Sequence, residues 1–211
     1  MMKKAILARK EGMTQIYDET GKVIPVTVLK AGPCRVIFKR TLERDGYSAV
    51  QVGFEEKKLS RVNQPEEGHY KKAKVPPCRV LKEFRMDNAD EFEVGAEIKS
   101  DIFSPGDLVD ISGISKGKGF AGSVKRHGFK MGPRTHGSHH HRGPGSLGSV
   151  DLSRIFKGKK LPGRMGGRRS TILNLKVVSV DPAKNILLVK GSVPGPRGVL
   201  LEVREAVKKT S

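Results

Sequence analysis

Five of the six histidines of this 211-residue chain, His127, His136, His139, His140 and His141, fall within one short stretch, and imidazole is the side chain that binds metals and moves protons near neutral pH. Zinc sites with dependable spacing place two ligands at i and i+4 on a helix, or pair His with Cys at fixed offsets. Here three histidines are consecutive and cannot all face one ion, and no carboxylate lies inside the cluster to orient a metal-bound ring. General acid–base or hydrolytic chemistry asks for paired carboxylates or a Ser/His/Asp set. Asp151 is the single acid between residues 116 and 170. No catalytic residue, metal ligand or cofactor is therefore expected. The imidazoles read as solvated or base-stacked groups, and a metal-dependent RNA-processing enzyme using the cluster stands as the competing class.

A second candidate is Gly117-Lys118-Gly119-Phe120-Ala121-Gly122, which satisfies the GxGxxG dinucleotide fingerprint. A true fingerprint opens a long helix and has an acid about 20 residues further on. Val124 to His127 permit only a turn or two of helix, and the later window holds Gly and His. A second match, Gly143 to Gly148, lies in the same segment, so both reflect glycine content. The glycines still have a use, because a residue without Cβ lets backbone N–H groups come close to a phosphate. Gly117, Gly119, Gly122, Gly145 and Gly148 are the expected points of close approach.

The bases decide the partner class. Residues 116–170 hold 14 of the 41 Lys and Arg but one of the 22 acids, so this quarter carries +13 of the net +19. A merely solvated face mixes signs to avoid repulsion. The expected contact set is Lys116, Lys118, Lys125, Arg126 and Lys130, then Arg134, His136 and Arg142, then Lys157, Lys159, Lys160, Arg164, Arg168 and Arg169. With 12 apolar residues in 55, the stretch cannot offset its own ordering entropy and is expected to be mobile until a polyanion holds it. Phe120, Phe129 and Phe156 are expected to anchor it more than to stack on bases. No apolar run approaches the roughly 18–20 residues that span a bilayer, and the Ala5 to Ala8 run is too short for a signal peptide. A cytoplasmic protein follows. Cys34 and Cys78 have no second pair and read as buried reduced thiols.

The elements that carry this stretch read as strands. Ile24, Val26 and Val28 alternate with Pro25 and Thr27, and Val50, Val52 and Phe54 alternate after an Asp45-Gly46 pair suited to a type I′ turn, giving a hairpin of 34–43 and 47–56. The runs 171–180, 186–189 and 199–203 are three more strands separated by Asp-Pro and Gly/Pro turns, and 107–112 leads out into the basic stretch. Short strands with frequent turns predict a mainly β fold, a small closed barrel. Residues 1–115 form the first part of the barrel, with 55–100 as a small mixed α+β insertion containing a short helix or two. Residues 116–170 form the extension, and 171–211 return as barrel strands.

The segment Phe103 to Arg126, FSPGDLVDISGISKGKGFAGSVKR, resembles the signature of the large-subunit ribosomal protein L three family. Further matches follow in order: Gly12-Met13-Thr14-Gln15, Thr135-His136-Gly137, Pro144 to Gly148, Phe156 to Lys160 and Leu187 to Gly195. The resemblance runs from end to end. It implies a translation-factor-like barrel with a long basic loop threading large-subunit rRNA toward the peptidyl-transferase centre, with Lys116 to Lys130 as the outgoing limb and 134–148 nearest the catalytic RNA. It further implies a non-enzymatic role in the cytoplasmic ribosome, binding to the 3′ part of that rRNA early in assembly, and contact with proteins fourteen and nineteen of the large subunit. Some relatives carry a methylated glutamine where this chain has Ser149, and others a Trp where it has His127, so neither feature transfers.

Overall fold

The computed structural model describes residues 4–149, 151 and 153–208. The elements are β1 (Ala5–Tyr17), β2 (Val23–Ala31), β3 (Cys34–Arg40), α1 (Leu42–Asp45), β4 (Ala49–Glu56), α2 (Gln64–Ala73), β5 (Cys78–Arg85), β6 (Glu97–Ile98), β7 (Leu108–Ile114), β8 (Phe120–Ala121), α3 (Ser123–His127), β9 (Gly163–Arg164), β10 (Arg169–Asp181), β11 (Ile186–Lys190) and β12 (Leu200–Glu205). Met1 to Lys3, at the start of the signal-like run, lie outside the described residues, while Ala5 to Ala8 are buried residues of β1. Among the described residues no helix is long and apolar enough to cross a membrane.

Six strands close into an antiparallel barrel in the order β1-β12-β7-β10-β11-β2. Period-two alternation aims Val109 and Ile111 of β7, Leu187 and Val189 of β11, and Leu201 and Val203 of β12 into the core, where all are fully buried. Each such side chain contributes about 1.5–3 kcal/mol through removal from water. The long strand β10 serves two neighbours, pairing with β7 up to Lys176 and with β11 from Val177. Register shifts at Ile172/Leu175 and Val177/Ser179 let it bend between them. Lys10 is a buried base inside this unit: its Nζ donates to the carbonyls of Val193 and Gly195 at 3.2 and 3.1 Å, which holds the loop before β12.

Where sequence placed the insertion at 55–100, the second sheet begins at Cys34. Its order is β5-β4-β3-β6, so the hairpin of β3 and β4 belongs to it and not to the barrel. The reason is register: β4 is paired along its length with β5, Ala49 with Arg85 through Glu56 with Cys78, which leaves no edge for a barrel strand. Val36, Val50, Val52, Phe54 and Phe84 face the same core as the barrel side chains. The Asp45-Gly46 pair is no type I′ turn either. Asp45 ends α1, and Gly46 closes it in the left-handed region with φ 76°, donating to the Leu42 carbonyl. The helix expected in the insertion is α2, which packs Tyr70 against Ile37, Val75 and Cys78. Both thiols are free and buried, and burial pushes Cys34 up to about 12.

The chain divides into two compact units, Met1–Ile114 with Arg169–Ser211, and Ser115–Arg168. The basic stretch thus begins and ends one or two residues earlier than charge counting placed it, because Arg169 and Ser170 pair with Ile114 and Gly113 as the first rungs of β10 on β7.

Candidate nucleic-acid interface

The unit Ser115–Arg168 is built as two limbs, outgoing and returning, that bond to each other near their base. Ser115 N–H donates to Arg168 O at 2.9 Å, Lys118 N–H to Met165 O at 2.9 Å and Met165 N–H to Gly119 O at 2.8 Å. β8 and β9 continue this ladder, with Phe120 opposite Arg164 and Ala121 opposite Gly163. Close approach of the limbs requires glycine at 166: its φ is 71°, and a Cβ there would stand 2.1 Å from the Lys116 carbonyl oxygen.

Beyond the ladder the outgoing limb makes the single turn α3, stopped by Gly128 at φ 69°. Arg126 and His127 at its end both donate to the Leu161 carbonyl, at 2.7 and 3.0 Å, and so tie the turn to the returning limb. The result is a basin of about 460 Å³ lined by Ser115, Lys116, Lys118, Arg126, His127, Arg164, Met165, Gly166 and Arg168. Five fixed cations and one imidazole face it with no carboxylate among them. Such a hollow attracts anions, and an uncompensated group of guanidiniums and ammoniums matches phosphate geometry.

The tip is organised by backbone and histidine. Gly132 N–H donates to His141 O at 3.0 Å, His141 Nδ1 donates to Pro133 O at 2.9 Å, and the Ser138 hydroxyl bonds to the His140 carbonyl at 3.4 Å. The His141 ring and the carbonyls of His140 and His141 thus tie residues 131–142 into a turn. Among the described residues no group of three or more His, Cys, Asp or Glu converges as a metal site would require. Met131, Arg134, His141 and Arg142 line a smaller hollow of about 330 Å³ there.

Of the residues singled out by sequence, Lys116, Lys118, Arg126, Arg164 and Arg168 are brought together at the neck, and Arg134 and Arg142 at the tip. Lys125, Lys130, His136, Lys157, Lys159 and Lys160 are exposed and join neither hollow. Arg169 departs from the set: it opens β10 and pairs with the buried Glu202 of β12, which also meets Arg204 at 2.8 Å and Lys82 at 3.3 Å. Arg154, outside the expected contact set, is a further exposed base of the same unit. Phe120 and Phe156 are 80% and 56% exposed, so neither is a buried anchor, whereas Phe129 rests against the His127 ring with centroids 6.0 Å apart.

The glycines divide by what surrounds them. Gly148 has the Arg154 carbonyl at 3.8 Å from a built Cβ, an ordinary contact, and at Gly117, Gly119, Gly122 and Gly145 a Cβ would meet nothing within 4 Å. Gly117 and Gly122 also lack a positive φ, so among the described residues nothing requires glycine at either position.

Residues 82–185 match the family model described as ribosomal protein L3. The chain is similar to large ribosomal subunit protein uL3 of Carboxydothermus hydrogenoformans, at 59% identity over 98% of this chain and 99% of that one. It is similar also to the proteins of the same name from Geobacillus kaustophilus, 58% identical over 98% and 97%, and from Syntrophomonas wolfei, 55% identical over 98% of each.

Proposed function

Because the chain belongs to the ribosomal protein L3 family, non-enzymatic structural constituents of the large subunit of the bacterial, cytoplasmic ribosome, we propose that its unit Ser115–Arg168 threads into large-subunit rRNA. The observation that carries this reading is the neck basin, where Lys116, Lys118, Arg126, Arg164 and Arg168 converge without a carboxylate. Left to themselves these charges repel; phosphates between them remove the repulsion and release counterions. Gly117 and Gly122 lend support, since a phosphate backbone pressed against the limb accounts for glycine where the protein's own packing does not. Exposed Phe120 and Phe156 are placed to stack on unpaired bases.

In this reading the barrel fixes position, while the extension neutralises phosphates and completes its ordering on binding. The family resemblance supports the finer assignments: binding to the 3′ part of the rRNA early in subunit assembly, residues 134–148 buttressing the region of the peptidyl-transferase centre, and ribosomal proteins fourteen and nineteen of the large subunit as neighbours.

The test compares the intact chain with one lacking residues 118–168 for binding to a transcript of the 3′ part of the rRNA across a salt series. If about 10 bases meet phosphates, the log–log slope of the intact chain lies near −7 to −9. Deletion should flatten most of it. A slope unchanged by the deletion refutes the extension as the electrostatic anchor.

A further inference from the structure

Another cationic feature lies far from the extension in sequence, on the four-stranded sheet. Register puts Arg40, Ala49 and Arg85 in one row across β3, β4 and β5, and Phe38, Gln51 and Glu83 in a neighbouring row of the same face. Guanidinium and ring alternate along it. Arg85 Cζ lies 4.8 Å from the centre of the Tyr47 ring, Arg40 Cζ lies 5.5 Å from Tyr47 and 5.6 Å from Phe38, and Arg44 Cζ lies 6.0 Å from Phe38.

The middle of this ladder is neutralised. Arg40 is bonded to Glu83 at 3.0 Å and Asp45 at 2.7 Å, and the Tyr47 hydroxyl donates to Glu83 at 2.7 Å. Its ends differ. Arg44 and Arg85 are exposed, and among the described residues the guanidinium of neither enters a hydrogen bond or an ion pair; Arg85 reaches Glu83 and Tyr47 only through its field and its place over the Tyr47 ring. A guanidinium laid on a ring has its plane held while its N–H edge and outer face remain available. Such a group binds a phosphate through the edge and stacks a base on the face.

We propose that Arg44 and Arg85, at the two ends of the ladder, form a second RNA contact, which bonds backbone phosphates and stacks an unpaired base. This rests on the reading of the chain as an rRNA-binding protein and adds a site on the globular unit to the one on the extension. An acidic protein segment is the other polyanion the two arginines could meet, and the test decides against the proposal if that is the occupant.

The test uses the full-length chain and the same 3′ rRNA transcript across a salt series. Each lost phosphate contact removes about 0.7–0.9 from the log–log slope, so R44A/R85A should flatten it by about 1.4–1.8 and weaken binding about tenfold or more. R44K/R85K keeps charge without a planar face, and should retain the wild-type slope while losing about threefold or more in affinity. Unchanged slope and affinity in R44A/R85A overturn the proposal. Full affinity in R44K/R85K also overturns it, because charge alone then suffices. If R44A/R85A is unfolded, as read by circular dichroism, the lysine variant decides. A shallow slope in the wild-type chain would instead defeat the reading of the extension, so the two failures are told apart.

Discussion

Arg126 donates from Nη1 to the carbonyl of Leu161 at 2.7 Å, joining the end of α3 to the returning limb across 35 positions of sequence. Its guanidinium passes over Gly163, where a Cβ would stand 2.5 Å from the same nitrogen. One base of the polycation therefore holds the extension in shape while it faces the basin with the others. The limbs depend on glycine for this closeness, and substitution there separates the shape of the extension from its charge.

Gly166→Ala should open the neck. The new methyl meets the Lys116 carbonyl oxygen at 2.1 Å in a backbone conformation with φ 71°, a conflict between two main chains that no side-chain rotation relieves. A local cost of about 1–3 kcal/mol is expected. Hydrogen exchange should quicken at the amides of Lys118 and Met165, which bond across the limbs, and rRNA affinity should fall although no charge has changed. Unaltered exchange at both amides would contradict this account of the neck.

Trypsin should cut the free protein first between Lys116 and Arg169. The extension has few buried side chains, Ala121 and Ser123 among them, so little apolar burial opposes local opening. Bound rRNA should protect the same bonds. Mass spectrometry of the early fragments checks both halves of the expectation, and an extension that survives intact without RNA would refute it.

Arg9 and Glu55 form a two-bonded pair, Nε to Oε1 at 2.6 Å and Nη2 to Oε2 at 2.8 Å, linking β1 of the barrel to β4 of the second sheet. The hydrogen bonds and charge of Arg9 hold the Glu55 carboxyl below its ordinary 4.5. A carboxylate depressed in the folded state contributes stability that is present above its unfolded pKa and is lost as pH falls through the folded value. Urea unfolding should therefore show Glu55→Gln less stable than the parent at pH 7, by about 1 kcal/mol or more. The two should converge as pH drops from about 4.5 downward. A difference that does not shrink at all as pH falls below 4.5 would mean that the charge is not the cause.

Leu201→Ala removes a fully buried side chain at the centre of β12, between β1 and β7. The barrel is closed and cannot collapse on the gap by sliding an edge strand, so a loss of about 2–5 kcal/mol is expected. Denaturant midpoints at constant m-value measure it. A loss below about 1 kcal/mol would place Leu201 outside the essential core.

Much of the barrel was legible because alternation is a local property. Ile24, Val26 and Val28 and the strand before the basic stretch carry period two, the run from Ile186 is a short apolar run bounded by turns, and all are strands. The short turn of helix at Val124 to His127 could be read from the glycines on either side of it. Asp45-Gly46 was not legible in the same way: that dipeptide suits a hairpin turn and a helix end alike, and Leu42, Glu43 and Arg44 before it favour the helix end. The exposure of Phe120 and Phe156 also needed the structure, because an aromatic residue in a glycine-rich segment reads equally well as an anchor or as a platform.

By itself, the sequence determined the quantities that add up residue by residue: +13 confined to one quarter of the chain, a globular remainder, and strand periodicity on either side. Motifs in order along the chain also determined the family. Only the tertiary structure decided which charges stay open. Arg169 and Arg164 are alike in sequence context, but one pairs with Glu202 on another strand and the other faces a basin with no acid. Arg40 is neutralised, while Arg44 and Arg85 near it are not. The physical reason is that charge compensation acts across a few ångströms of space. Barrel closure and strand register, which bring together residues dozens of positions apart, set those distances.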